Sequence, residues 1–201
     1  FTAGVQYDVA DRWGGLNLVS VEGHQGLNIL DATESGAENL SRRSGKSAST
    51  RFEVGLTRQQ PLGKGFLLTL NLSGQYALTQ LLSAEEFGYG GSQFGRGYDP
   101  SEITGDHGLA GLVEVSYTPV FSMPNWVKGL QYYASYDAGS VWRIDTNLRD
   151  RQLTGASAAL GARLNLKPGI SLDLQVSKPL TRGSFIYSEN DAKNPRVFGM
   201  M

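Results

Sequence analysis

The sequence predicts an all-β protein: a transmembrane, antiparallel up-and-down β-barrel, of which this chain carries nine strands. Three observations predict it. Apolar residues recur with period two in one segment after another, the connections between these segments alternate strictly between short and long, and the polar faces are built from Ser, Thr, Asn, Gln and Gly with scattered charge. No run of about 18 apolar residues occurs, so a membrane would have to be crossed by strands rather than by a helix.

The segments follow in order. Residues 3–9 set Ala3, Val5, Tyr7 and Val9 against Gly4, Gln6 and Asp8. Residues 16–22 change phase between Leu18 and Val19, which reads as a β-bulge. Residues 51–56, 66–78, 109–119, 130–143, 156–166 and 170–176 alternate cleanly, as in Leu68, Leu70 and Leu72 against Thr69, Asn71 and Ser73. Residues 197–201 resemble a strand cut short. Nine strands and no helix are expected. The odd count, a start already in strand-like alternation and the abrupt end at Met201 suggest part of a larger barrel whose other strands precede Phe1.

A soluble up-and-down barrel or sandwich also alternates. Its solvent face, however, would be rich in charge, and strands of globular proteins have a usual length of about 5–6 residues. Here the segments run to roughly a dozen, near the 9–11 that a bilayer needs. Tyr117, Phe121, Trp126, Tyr132 and Trp142 fall near strand ends, where a membrane interface favours aromatics. The mean hydropathy of −0.26 reads as soluble, but it misleads when strands are apolar on one face only.

Composition narrows the function classes. The 201 residues carry a net charge of −1 and no Cys. This gives no disulfide framework, no thiolate metal site and no clustered basic surface for nucleic acid. No metal or other cofactor is implied.

If the apolar face meets lipid, Asp8, Arg51, Glu53, Glu114, Asp137, Arg163 and Asp173 point into the lumen. The insert at residues 86–108 is Gly-rich and has one central cation, Arg96, between Gly95 and Gly97 with Phe94 and Tyr98 beyond. Should this loop fold back into the lumen, Arg96 would meet an inward acid, since a desolvated guanidinium without a partner is costly. Asp137 is the first candidate and Glu114 the second. The alternative is an extracellular loop with a solvated Arg96. Residues 88–91 follow no βα pattern and so make no phosphate loop. Asp106 and His107 could suggest a hydrolytic pair at a barrel mouth, but without a nucleophile they read as a loop hydrogen bond. His24 has no evident partner.

The insert, with Phe94-Gly-Arg96-Gly97-Tyr98 followed by Gly105-Asp-His-Gly108, resembles the Arg-Gly-Tyr/Phe loop of the outer-membrane insertase and two-partner secretion superfamily. Asp137-Ala-Gly139 resembles its Asp-x-Gly strand motif. Among the branches the pattern is most similar to the TpsB transporters, the haemolysin or haemagglutinin secretion and activation proteins. The resemblance covers essentially all of residues 1–201 as the C-terminal part of a sixteen-stranded barrel domain, with the motif loop at about residues 80–107.

It implies that Arg96 reaches an inward acid on the strand bearing Asp137, and that Gly97 and Tyr98 complete the motif. It further implies a pore in the bacterial outer membrane that secretes a large partner polypeptide, with a plug helix and two periplasmic POTRA domains upstream, and no enzymatic reaction. One departure is Gly95, where the family usually has Val; this would loosen the loop tip. A barrel-assembly insertase of the same superfamily, and a hydrolase using Asp106 and His107, are the alternative functions.

Overall fold

The computed structural model describes residues 1–27, 41–42, 45–46, 48–120, 124–144, 152–181 and, for the backbone, 196–200. Its strands are β1 (Thr2–Ala10), β2 (Leu16–Gln25), β3 (Thr50–Gly63), β4 (Phe66–Ala77), β5 (Phe87–Tyr89), β6 (Ile103–Gly105), β7 (His107–Tyr117), β8 (Val127–Trp142), β9 (Gln152–Leu166), β10 (Ile170–Pro179) and β11 (Arg196–Met200). Nine of them form one antiparallel sheet in the order β1-β2-β3-β4-β7-β8-β9-β10-β11, each paired with its neighbour in the chain, while β5 and β6 make a separate hairpin inside the β4–β7 connection. The nine expected strand segments correspond to these nine strands. Among the described residues the one helical element is a single 3₁₀ turn, Ser83–Glu85. Phe121 and Met201 lie outside the described residues.

The expected bulge at Leu18 is not formed. β2 runs in unbroken register against both β1 and β3, so Leu18 lies level with Asp8 and Thr57 on the polar face, while Val19 lies level with Tyr7 and Leu56 on the apolar one. The phase change therefore reflects apolar residues on both faces of one regular strand. Register shifts occur instead between Pro61 and Gly63 and between Val127 and Gly129, beside short turns.

The two faces differ sharply. One cross-strand row reads Tyr7, Val19, Leu56, Leu72, Gly111, Ala138. Large apolar side chains on this face are open, with Val5 74%, Val54 45%, Val113 43% and Leu160 66% exposed. So wide an apolar surface is not tolerated in water, and lipid is the solvent that removes the penalty. The other face is polar. Several of its charges are paired: Arg51 lies 2.9 Å from Glu53, and Arg163 lies 2.6 Å from Glu114. His24 does have neighbours there: its Nδ1 is 3.0 Å from Thr2 Oγ1, and its Nε2 lies between the Glu22 and Glu53 carboxylates at 3.5 and 3.4 Å.

The connections 26–49, 78–106, 143–151 and 180–195 leave one end of the sheet and 11–15, 64–65, 118–126 and 167–169 the other. The strict alternation of lengths expected from the sequence fails at 118–126, which is as long as 143–151. The buried apolar cluster, Phe87, Tyr89, Phe94, Tyr98, Ile103, Ala110, Leu112 and Val141, lies between the 78–106 connection and the polar face of β7 and β8. The loop thus supplies most of the core.

Candidate functional site

The loop rises from β4, pairs Phe87–Tyr89 with Ile103–Gly105, and carries its tip back over the polar face of β7–β10. Glycine makes the tight reversal feasible. Gly90, Gly91 and Gly95 have φ of 128°, 113° and 72°, the region that L side chains avoid. A Cβ on Gly95 would lie 2.8 Å from the Gly90 backbone. The tip is therefore tightly packed at Gly95, contrary to the loosening expected from a Gly at the usual Val position.

Four anchors hold the tip. First, Arg96 Nη1 donates to Glu114 Oε2 at 2.8 Å and to Ser135 Oγ at 3.0 Å. The Arg96 and Glu114 side chains are only 11% and 8% exposed. Second, Asp137, fully buried, accepts from the Tyr89 hydroxyl at 2.5 Å, the Gly95 amide at 2.9 Å and the Ser157 hydroxyl at 2.9 Å. Third, Ser157 Oγ accepts the Gly97 amide at 3.1 Å, and Ser177 Oγ donates to the Arg96 carbonyl at 2.7 Å. Fourth, the Tyr98 hydroxyl reaches the Ala156 and Thr181 carbonyls at 3.2 and 2.6 Å.

Arg96 therefore does not pair its guanidinium with Asp137, the first candidate; Glu114, the second, takes it. Cross-strand register explains the exchange. Asp137 lies level with Leu112, whereas Glu114 is two residues farther along β7 from the long-loop end, roughly 7 Å deeper. The Gly95 turn aims backbone amides at Asp137 and sends the arginine side chain past it. Asp137 is also already satisfied, while Glu114 borders an open cavity of about 400 Å³ that Arg163, Gln131, Asn71 and Thr69 also line.

Glu114 serves two cations. Arg163 makes a fork of 2.6 and 3.0 Å to it and reaches Asp173 at 3.3 Å. Arg163 also lies 4.0 Å over the Tyr133 ring, whose other neighbour is Arg96 at 5.3 Å. Of the two pairs that Glu114 makes, Arg96–Glu114 is the buried one, and breaking a buried pair costs about 3–5 kcal/mol.

Small residues on the sheet let the tip approach. A Cβ on Gly139 would meet the Tyr89 ring at 2.4 Å, and one on Gly155 would meet it at 2.3 Å. A Cβ on Gly97 would lie 2.6 Å from the Pro179 backbone nitrogen. Burial first, then the hydrogen bond and charge of Asp137, hold the Tyr89 phenol well above its ordinary range, so it stays a donor.

The motif-loop residues Phe94, Arg96, Gly97 and Tyr98 and the strand candidates Glu114, Asp137 and Gly139 all lie at this interface. Sequence reasoning did not assign roles to Tyr89, Ser135, Ser157, Ser177 or Gly155. The legible signal was Ser, Gly and Ala on the polar face of consecutive strands, which marks close approach by another backbone.

Asp106 and His107 do not form a hydrolytic pair. Asp106 accepts from Arg42 at 2.6 and 3.1 Å and from the Leu81 and Ile144 amides at 2.7 and 2.9 Å. His107 accepts from the Ala77 amide through Nδ1 at 3.2 Å and stacks on Tyr76.

A sheet apolar on its open face and polar within, with a loop packed on the polar face, is the wall of a membrane β-barrel. The likeness to known proteins agrees. Residues 3–164 match the family described as haemolysin secretion/activation protein ShlB/FhaC/HecB. The chain belongs to that family. No curated protein sequence matches it. The solved structure of CdiB from Escherichia coli is similar in fold, with a TM-score of 0.81 at 17% identity, covering 98% of this chain and 35% of CdiB. The chain thus spans about a third of the length of that relative.

Proposed function

We propose that the protein secretes a large partner polypeptide through its barrel lumen, as one half of a two-partner secretion pair in the bacterial outer membrane, with the motif loop shaping the channel. The observation that carries this reading is the seating of the loop tip on the polar face, with Arg96 against Glu114 and the loop amides on Asp137. A loop built to remain outside would need no buried acid beneath its arginine. The partner would pass unfolded and be recognised by the periplasmic domains that the family resemblance implies. Its folding on the far side would favour export where no ATP is available.

The direct test is Arg96→Ala in the full-length protein with its partner. Secretion is expected to fall by about tenfold or more, with heat-modifiable barrel migration largely retained, because the nine-strand ladder does not use Arg96. Normal secretion by that variant would remove the proposed role.

A further inference from the structure

A second clamp holds the same loop from outside the sheet. Arg42, in the β2–β3 connection, forks onto both oxygens of the fully buried Asp106 carboxylate and also reaches Glu86 at 3.0 Å and the Leu81 carbonyl at 3.4 Å. Around it the two long connections are stitched together. The Lys46 amide donates to the Gln80 carbonyl at 3.0 Å, and the Ser83 amide and hydroxyl meet Ser41 Oγ and its carbonyl, each at 3.2 Å. Ser49 donates to Glu85 at 2.9 Å, and Arg51 lies 3.2 Å from the same carboxylate.

Asp106 is the junction of three segments, because it also accepts the amides of Leu81 and Ile144. Gly105, next to it, ends the β5–β6 hairpin and packs against Trp142, where a Cβ would be 2.8 Å from the carbonyl oxygen. Both arms of the motif loop, at Leu81 and at Asp106, are thus fixed at one buried carboxylate, and the cation that neutralises it comes from a different loop. A buried carboxylate that loses its bidentate arginine must take up water or a proton.

We propose that Arg42 is a positioning residue for the motif loop. By holding Asp106 it closes the loop's base, and through the β5–β6 hairpin it keeps the tip seated on Asp137 and Glu114, so that the two long loops open together. This rests on the tip belonging in the lumen, but not on what passes through it.

Hydrogen exchange on the full-length protein in lipid nanodiscs tests it. Arg42→Gln is expected to speed exchange by about tenfold or more both at residues 78–90 and at the Gly95 and Gly97 amides, which bond Asp137 and Ser157. Arg42→Lys, which keeps the charge without the fork, is expected to fall between. A disulfide joining Ser41→Cys to Ser83→Cys in the Arg42→Gln background should restore protection at both places. Faster exchange confined to residues 78–90 would reduce Arg42 to a local brace, and failure of the disulfide to restore the tip would overturn the coupling. If Arg96→Ala secretes normally while the exchange coupling is present, the transport reading fails and the clamp stands.

Discussion

Arg96 lies between two carboxylates and is joined to them differently, by its side chain to Glu114 and by its backbone amide to Asp137. A double-mutant cycle separates the two. Arg96→Ala combined with Glu114→Gln is expected to be non-additive by about 1–3 kcal/mol, because both delete one interaction. Arg96→Ala combined with Asp137→Ala should be closer to additive, since the Gly95 and Arg96 amides survive loss of the arginine side chain. Unfolding free energies of the three single and two double variants decide it; the reverse order would restore Asp137 as the guanidinium's partner. Asp106 supplies a pH dependence. Burial works against its ionisation, but Arg42 and the Leu81 and Ile144 amides outweigh that and hold its carboxyl below the ordinary value of 3.8. A depressed folded value means that the charged form contributes stability above the unfolded value and loses it as pH falls through the folded one. The stability of the wild type over Asp106→Asn should therefore be constant near neutrality and shrink only below about pH 4. Thermal unfolding of both proteins from pH 7 to pH 3 measures this.

At the scale of elements, the loop and the sheet are matched by what the sheet omits. β8 and β9 place Gly139 and Gly155 under the Tyr89 ring, and the Asp-x-Gly pattern of β8 is one acid that binds the loop and one absent side chain that admits it. Gly155→Val should displace Tyr89 while leaving the β8–β9 ladder intact, because valine suits a strand and the clash is with the loop's ring. The expected signature is loss of protection at Gly95 with barrel migration retained, at a cost of about 1–3 kcal/mol. Unchanged protection there would show that the loop rests elsewhere. The serines contribute likewise: Ser135, Ser157 and Ser177 lie on three successive strands and each bonds Arg96 or Gly97, so the tip is held across three strands.

For the molecule as a whole, the inverted distribution of polarity matters most. Leu72 is 42% exposed in mid-strand on β4 and its neighbour Ser73 faces the other way. In the full-length protein refolded into vesicles, Leu72→Arg is expected to cost about 2–4 kcal/mol and Ser73→Arg much less. Equal costs would argue against lipid on the leucine side. Antiparallel strands in chain order put alternate connections at the same end, so the described residues of the β2–β3 connection meet residues 80–86 and Arg42 finds Asp106.

The sequence by itself determined the nine strands of the main sheet and, outside β2, their faces, because period two is a local property that each segment states independently. It also singled out Arg96 and the acids within its reach, because a Gly-flanked cation opposite inward carboxylates is visible as composition and phase. Tertiary structure decided which acid pairs with which part of the loop. That choice depends on cross-strand register, which places Glu114 two residues deeper than the level of Asp137, and on the Gly95 turn, which separates the direction of the amide from that of the side chain. It decided as well that Arg42, more than sixty positions away in the sequence, neutralises Asp106. Neither residue carries a local mark of the other, since a contact between two loops is set by where the sheet brings their ends.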